Sequence, residues 1–141
     1  MLDRGRIAKR LLDLERYSSR LEKIAPASFE KYMEAGHELK AAVEGYLQLI
    51  SDIELDISLL VYKGMELSLA GDETSLLERL QGVLGKKVIE EVRPRRTLRN
   101  KLVHAYSDES YDEDAFAQAH DLRDIVEFEK AVKRQLGKKR A

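Results

Sequence analysis

Apolar residues recur along this chain at helical spacing. From about Asp3 to Ile24 they are Ile7, Leu11, Leu14, Leu21 and Ile24, with Tyr17 and Ser18 filling the gap, which predicts one helix with a single buried face. Pro26 and its small neighbours break that pattern, and Ser28 caps a short helix ending near Gly36. The longest element runs from roughly His37 to Met65, where Leu39, Val43, Tyr46, Ile50, Ile53, Ile57 and Leu60 alternate at steps of four and three. Its second apolar edge, Leu47, Leu49, Leu55 and Leu59, has two readings: the helix lies centrally in a bundle, or its spare face meets a second subunit.

Gly71, Asp72 and Thr74 mark a turn, and Ser75 with Glu78 has the spacing of a capping box that opens a helix through Leu76, Leu77 and Leu80. Beyond Gly82 and Gly85 a helix starts near Lys86 and carries Val88, Ile89 and Val92. Pro94 should kink or restart it, and it should end near Ala105. Residues 107–112 form an acidic turn in which Asp112 caps one last helix, with apolar positions Ala115, Ala119, Leu122, Val126, Val132 and Leu136 and a frayed basic tail from about residue 137. No run alternates β-branched and polar residues, so the expected fold is all-α, one domain spanning 1–141.

Composition narrows the setting. No cysteine is present, so no disulfide can form, which fits a reducing compartment. Charged residues occupy the N-terminal stretch, and no apolar run reaches signal-peptide or membrane-spanning length, so the expectation is a soluble, cytoplasmic protein with no membrane partner. The formal net charge is only −1, yet five Lys and Arg side chains fall within residues 93–106, beside the acidic stretch Asp108 to Asp114.

That basic stretch also holds His104 and Tyr106. Arg99, four residues, His104, one residue and Tyr106 form a skeleton with Asn100 directly after the arginine. At about 100° per residue, Asn100 and His104 share nearly one helix face, whereas Arg99 and His104 lie roughly 140° apart. One straight helix would not aim both at a single phosphate. Either the helix frays before His104, or a two-fold dimer pairs one copy of the motif with another. The residue types suit phosphodiester chemistry. A histidine moves protons near neutral pH, and an arginine offers a permanent cation with a fork matched to phosphate.

The phrase Arg99-Asn100-Lys101-Leu102-Val103-His104-Ala105-Tyr106 resembles the R-x4-6-H-x-Y signature of the HEPN superfamily and, more closely, the RN-x-x-V-H-x-Y core of its HepT-like toxins. The resemblance covers nearly the whole chain. It implies an up-and-down helical bundle with a long central helix, a homodimer with a composite cleft, and a metal-independent endoribonuclease that uses no cofactor. It also implies the toxin of a toxin–antitoxin pair. By the family's mechanism, His104 would activate the RNA 2′-hydroxyl or protonate the leaving oxygen, Arg99 would hold the scissile phosphate and Asn100 would support His104 or the substrate backbone. Arg95, Arg96 and Lys101 would supply RNA phosphate contacts that carry no sequence information. Tyr106 would accept AMP from an MntA-type minimal nucleotidyltransferase antitoxin, and the added charge and bulk would oppose RNA binding.

Plainer readings stand beside these. His104 could owe its place to the helix macrodipole, and Arg99 could be a surface arginine paired with an acid. The alternative function is a non-catalytic HEPN-like subunit that docks a nucleotidyltransferase and presents its substrate; a third is a purely structural helical dimer. His37 and His120 are isolated, no Gly-rich phosphate loop or nucleophile elbow is present, and the acidic stretch from Asp108 reads as a solvated turn, so no metal site is expected.

Overall fold

The computed structural model describes residues 1–67, 71–104 and 111–138. Among them are seven helices and no strand: α1 Arg4–Ile24, α2 Phe29–Glu34, α3 His37–Gly64, α4 Glu73–Leu84, α5 Lys86–Val103, α6 Asp112–His120 and α7 Arg123–Gly137. None of these helices is long and apolar enough to cross a membrane.

Local chemistry sets the boundaries. The Asp3 carboxylate accepts from the Arg6 N–H at 3.2 Å to open α1, and Ser28 Oγ accepts from the Lys31 N–H at 3.1 Å to open α2. The fourth helix departs from the capping box read at Ser75. Asp72 is the cap, accepting the Ser75 N–H at 2.8 Å, so the helix begins at Glu73. It runs through Gly82 and stops at Gly85, whose φ of 102° lies in the left-handed region where a side chain would be strained. From there α5 continues past Pro94 to Val103 without restarting.

The expected single last helix is two helices. Its apolar spacing bridges a real break at Asp121 and Leu122, where the Asp121 carboxylate accepts the Arg123 N–H at 3.0 Å and starts the chain afresh. Asp112 is the first residue of α6 rather than its cap, and its carboxylate takes the Lys40 ammonium at 3.3 Å. In the resulting core Ile125 and Phe128 are buried, while Val126, expected inside, is exposed.

The bundle is organised around α3. Its buried stripe of Val43, Leu47, Ile50, Ile53, Ile57 and Val61 meets α1 on one side and α4, α5 and α6 elsewhere. Each fully buried aliphatic side chain contributes about 1.5–3 kcal/mol. The second apolar edge of α3 therefore divides. Leu47 is buried and Leu55 and Leu59 pack partly against the core, which fits the central reading; only Leu49, 42% exposed, faces outward.

Two further contacts close the domain. A Cβ on Gly64 would stand 2.6 Å from a Leu2 methyl carbon and 2.9 Å from its Cα, so only glycine lets the N-terminal segment lie against the end of α3. Two residues further on, the Arg4 guanidinium donates to the carbonyls of Leu136 and Lys138 and ties the start of α1 to the end of α7.

Candidate active site at the end of α5

The helix that carries the basic cluster faces two environments. Ile89, Val92 and Leu98 hold it in the core, and Arg95 and Arg96 are buried with them. Thr97, Asn100, Lys101 and His104 face solvent.

Arg95 enters the core at 7% exposure because Glu54 on α3 waits there at 0%. Its Nε donates to one Glu54 carboxylate oxygen at 2.6 Å and its Nη2 to the other at 2.7 Å, a bidentate fork. Burial pushes the Arg95 pKa down, but the Glu54 charge and these bonds outweigh it and the net is raised. Arg96 is also held by carboxylates. Its Nη2 and Nε donate to the Glu73 carboxylate at 2.8 and 3.3 Å, and its Nη1 donates to Asp52 at 2.9 Å and Ser51 Oγ at 3.3 Å. The expectation that Arg95 and Arg96 contact RNA phosphates is thereby corrected: both guanidiniums are turned inward and occupied by this chain's own carboxylates.

Arg99 is different. It is 26% exposed and lies against Asp52, with Nε 2.8 Å and Nη2 3.5 Å from the two carboxylate oxygens. The Nε–H is not directed at its oxygen, so that closest contact is an ion pair rather than a hydrogen bond. Nη1 donates to the Asn100 side-chain oxygen at 3.3 Å, which brings Arg99 and Asn100 together as one polar surface.

The helix stops at Val103. His104 is its cap, at φ −106° and ψ 25°, with its backbone N–H donating to the Asn100 carbonyl at 3.1 Å. The His104 ring is exposed and takes no hydrogen bond or ion pair among the described residues, so Arg99 and His104 are not joined within one chain. Lys101 points to another side, its ammonium 5.7 Å from the centre of the Tyr111 ring. Tyr106 and residues 107–110 of the expected acidic turn lie outside the described residues.

Beside this surface runs an open cleft of about 210 Å³ lined by Glu73, Thr74, Leu77, Arg93, Arg96, Thr97 and Asn100. Arg93 also lines a second cleft, about 320 Å³, with Thr97 and Lys101. No group of three His, Asp or Glu side chains converges as a cation site among the described residues.

Sequence reasoning missed the acids that hold this helix: Asp52 and Glu54 on α3 and Glu73 at the start of α4. A signal was present for one of them. Ser51, Glu54 and Ser58 recur at three and four residues inside an apolar stripe, and all three are fully buried. A charge at such a position requires a partner.

A family model described as ribonuclease HepT-like matches residues 14–132. Among solved structures, a cytosolic protein of unknown function, YutE from Bacillus subtilis, is similar in fold. The match has a TM-score of 0.78 at 19% identity, covering 96% of this chain and 91% of that one. No curated protein matches.

Proposed function

This chain belongs to the HepT-like ribonuclease family, and we propose from that premise that it is a metal-independent endoribonuclease whose working residues are Arg99 and His104. One observation carries the assignment to residues. Of the three arginines at 95, 96 and 99, two are themselves buried and held by carboxylates, while the one at the motif position stays 26% exposed on the helix that ends at the exposed His104.

Cleavage by the RNA's own 2′-hydroxyl forms a bond from that oxygen to phosphorus and breaks the bond to the 5′ oxygen. A proton leaves the first oxygen and another reaches the second. His104, as general base or acid, serves these transfers. The Arg99 fork stabilises the charge that develops on the phosphoryl oxygens. Asn100, bonded to Arg99 and placed one turn before His104, supports the pair. Lys101 supplies a phosphate contact without sequence preference.

Within one helix Arg99 and His104 diverge, so a two-fold dimer that faces one motif with the other supplies what one chain lacks. Two exposed apolar side chains support that pairing. Asp52 meets Arg99 and Glu54 meets Arg95, so α3 and α5 run antiparallel, and Leu49, one turn before Asp52, and Val103, one turn after Arg99, are both 42% exposed. The wider proposal is a toxin silenced by AMP transfer to Tyr106 from an MntA-type nucleotidyltransferase. Incubation with such an enzyme and ATP should add the mass of one AMP at Tyr106, and mapping of the adduct to another residue would reject that choice.

The activity itself is tested with purified protein and bulk RNA in EDTA, wild type beside Arg99→Ala. Fragments from the wild type alone support the assignment. Intact RNA from both, with unmodified protein by mass, would leave the non-catalytic docking subunit as the better account.

A further inference from the structure

We infer that Asp52 is a positioning residue for Arg99, itself anchored by Arg96 and Glu73, so that four alternating charges set the aim of the phosphate-binding fork. The inference rests on Arg99 acting as the phosphate ligand. The chain of contacts runs from the first turn of α4 to the end of α5. The Glu73 carboxylate grips Arg96 at 2.8 and 3.3 Å, Arg96 Nη1 reaches Asp52 at 2.9 Å, and Asp52 faces Arg99 at 2.8 and 3.5 Å.

The order of rigidity gives this ladder its direction. Arg96 is buried, held by one carboxylate on each side and by Ser51 Oγ at 3.3 Å. Asp52 is 43% exposed, and an isolated surface pair of its kind holds an arginine weakly. Here its Oδ1 atom is already fixed by the buried Arg96, so it presents a stationary anion to a long, flexible side chain. Arg99 donates to Asp52 through Nη2 and rests its Nε against the same carboxylate as an ion pair, while Nη1 is shared with the exposed Asn100 side chain next to it. A fork held by one edge and open at the other is preorganised for a phosphate.

Two other roles for Asp52 make different forecasts. A merely structural pair predicts a loss of stability with catalysis intact in the folded fraction. A competitor that occupies Arg99 until RNA displaces it predicts a lower KM when Asp52 is removed. The positioning role predicts a fall in kcat of about tenfold or more for Asp52→Ala, with KM within about twofold, because a displaced group costs rate at the reacting centre. Asp52→Asn, which keeps one acceptor, should fall in between, and Glu73→Gln should lose less in the same direction.

The experiment is steady-state cleavage of a single-stranded RNA oligonucleotide by wild type, Asp52→Ala, Asp52→Asn, Glu73→Gln, Arg99→Ala and Asp52→Ala combined with Arg99→Ala. Beside it, water exchange of the Arg99 Nε–H is measured by NMR, with the resonance assigned by its loss in Arg99→Ala. The expected result is the graded loss above, no further loss in the double variant over Arg99→Ala, and faster Nε–H exchange in Asp52→Ala. Unchanged kcat, a lower KM, or losses that multiply in the double variant would overturn it. If wild type cleaves nothing, the ribonuclease assignment fails, and the exchange rate alone then decides whether Asp52 holds Arg99: faster exchange in Asp52→Ala upholds the contact's role, and an unchanged rate ends it.

Discussion

The two ends of the basic cluster on α5 do opposite things with the same side chain. At 95 and 96 the guanidinium is a structural cation, enclosed by Glu54, Glu73 and Asp52. One turn later, at 99, it is 26% exposed, paired with Asp52 and bonded through Nη1 to the Asn100 side chain. A run of arginines in a sequence therefore measures potential for phosphate binding only after the carboxylates inside the fold have taken their share. The difference also explains how a helix so charged can pack at all: the inward arginines bring their own counterions from α3 and α4.

Substitutions should separate the two ends cleanly. The largest effect is expected for Arg95→Met, which strands the Glu54 carboxylate in the core and should cost about 3–5 kcal/mol in chemical denaturation. The double variant Glu54→Leu with Arg95→Met should recover most of that loss, since a well-packed apolar pair replaces a buried ion pair at little cost. If the double variant is no better than the single, the pair is not the unit of stability described here. Arg96→Ala should cost less, about 1–3 kcal/mol, because its partners Asp52 and Glu73 are half exposed and water replaces the lost donor.

A pH effect belongs to the same buried end. Burial pushes the Glu129 carboxyl on α7 up to about 7 from its ordinary 4.5, with Glu15 and Glu54 adding to the shift and Lys133 opposing it. The folded chain then holds a proton that the unfolded chain has released, so stability should fall as pH rises from about 4.5 to about 7. Glu129→Gln should flatten that slope and relieve about 1–3 kcal/mol near neutral pH, as denaturation across the range would reveal. The smallest effect lies at the exposed end. Lys101→Ala should leave stability within about 0.5 kcal/mol and lower the salt dependence of RNA binding by about one unit of slope.

The bundle was legible in the sequence wherever a helix keeps one apolar face. Over Asp3 to Ile24 and His37 to Met65 the expected and observed helices agree to within a residue at each end, because dense periodicity sets both, and the Asp3 cap of the first and Gly36 before the second mark the same starts. The break at Asp121 was hidden for the same reason: Ala119, Leu122 and Val126 keep helical spacing across a point where the backbone leaves the helix. Of the candidate site, Arg99, Asn100 and His104 were findable from their spacing. The fate of Arg95 and Arg96 was not, since their partners lie 41 and 44 residues away along the chain. Only folding shows which positive charge is already spent.

The most direct measurement is RNA cleavage in EDTA by wild type and His104→Ala, with the thermal midpoint taken on the same samples. The expectation is that the variant loses cleavage by about a hundredfold or more, while its midpoint stays within about 2 °C of wild type, because the ring is exposed and touches no described partner. Cleavage by His104→Ala at the wild-type rate would contradict it.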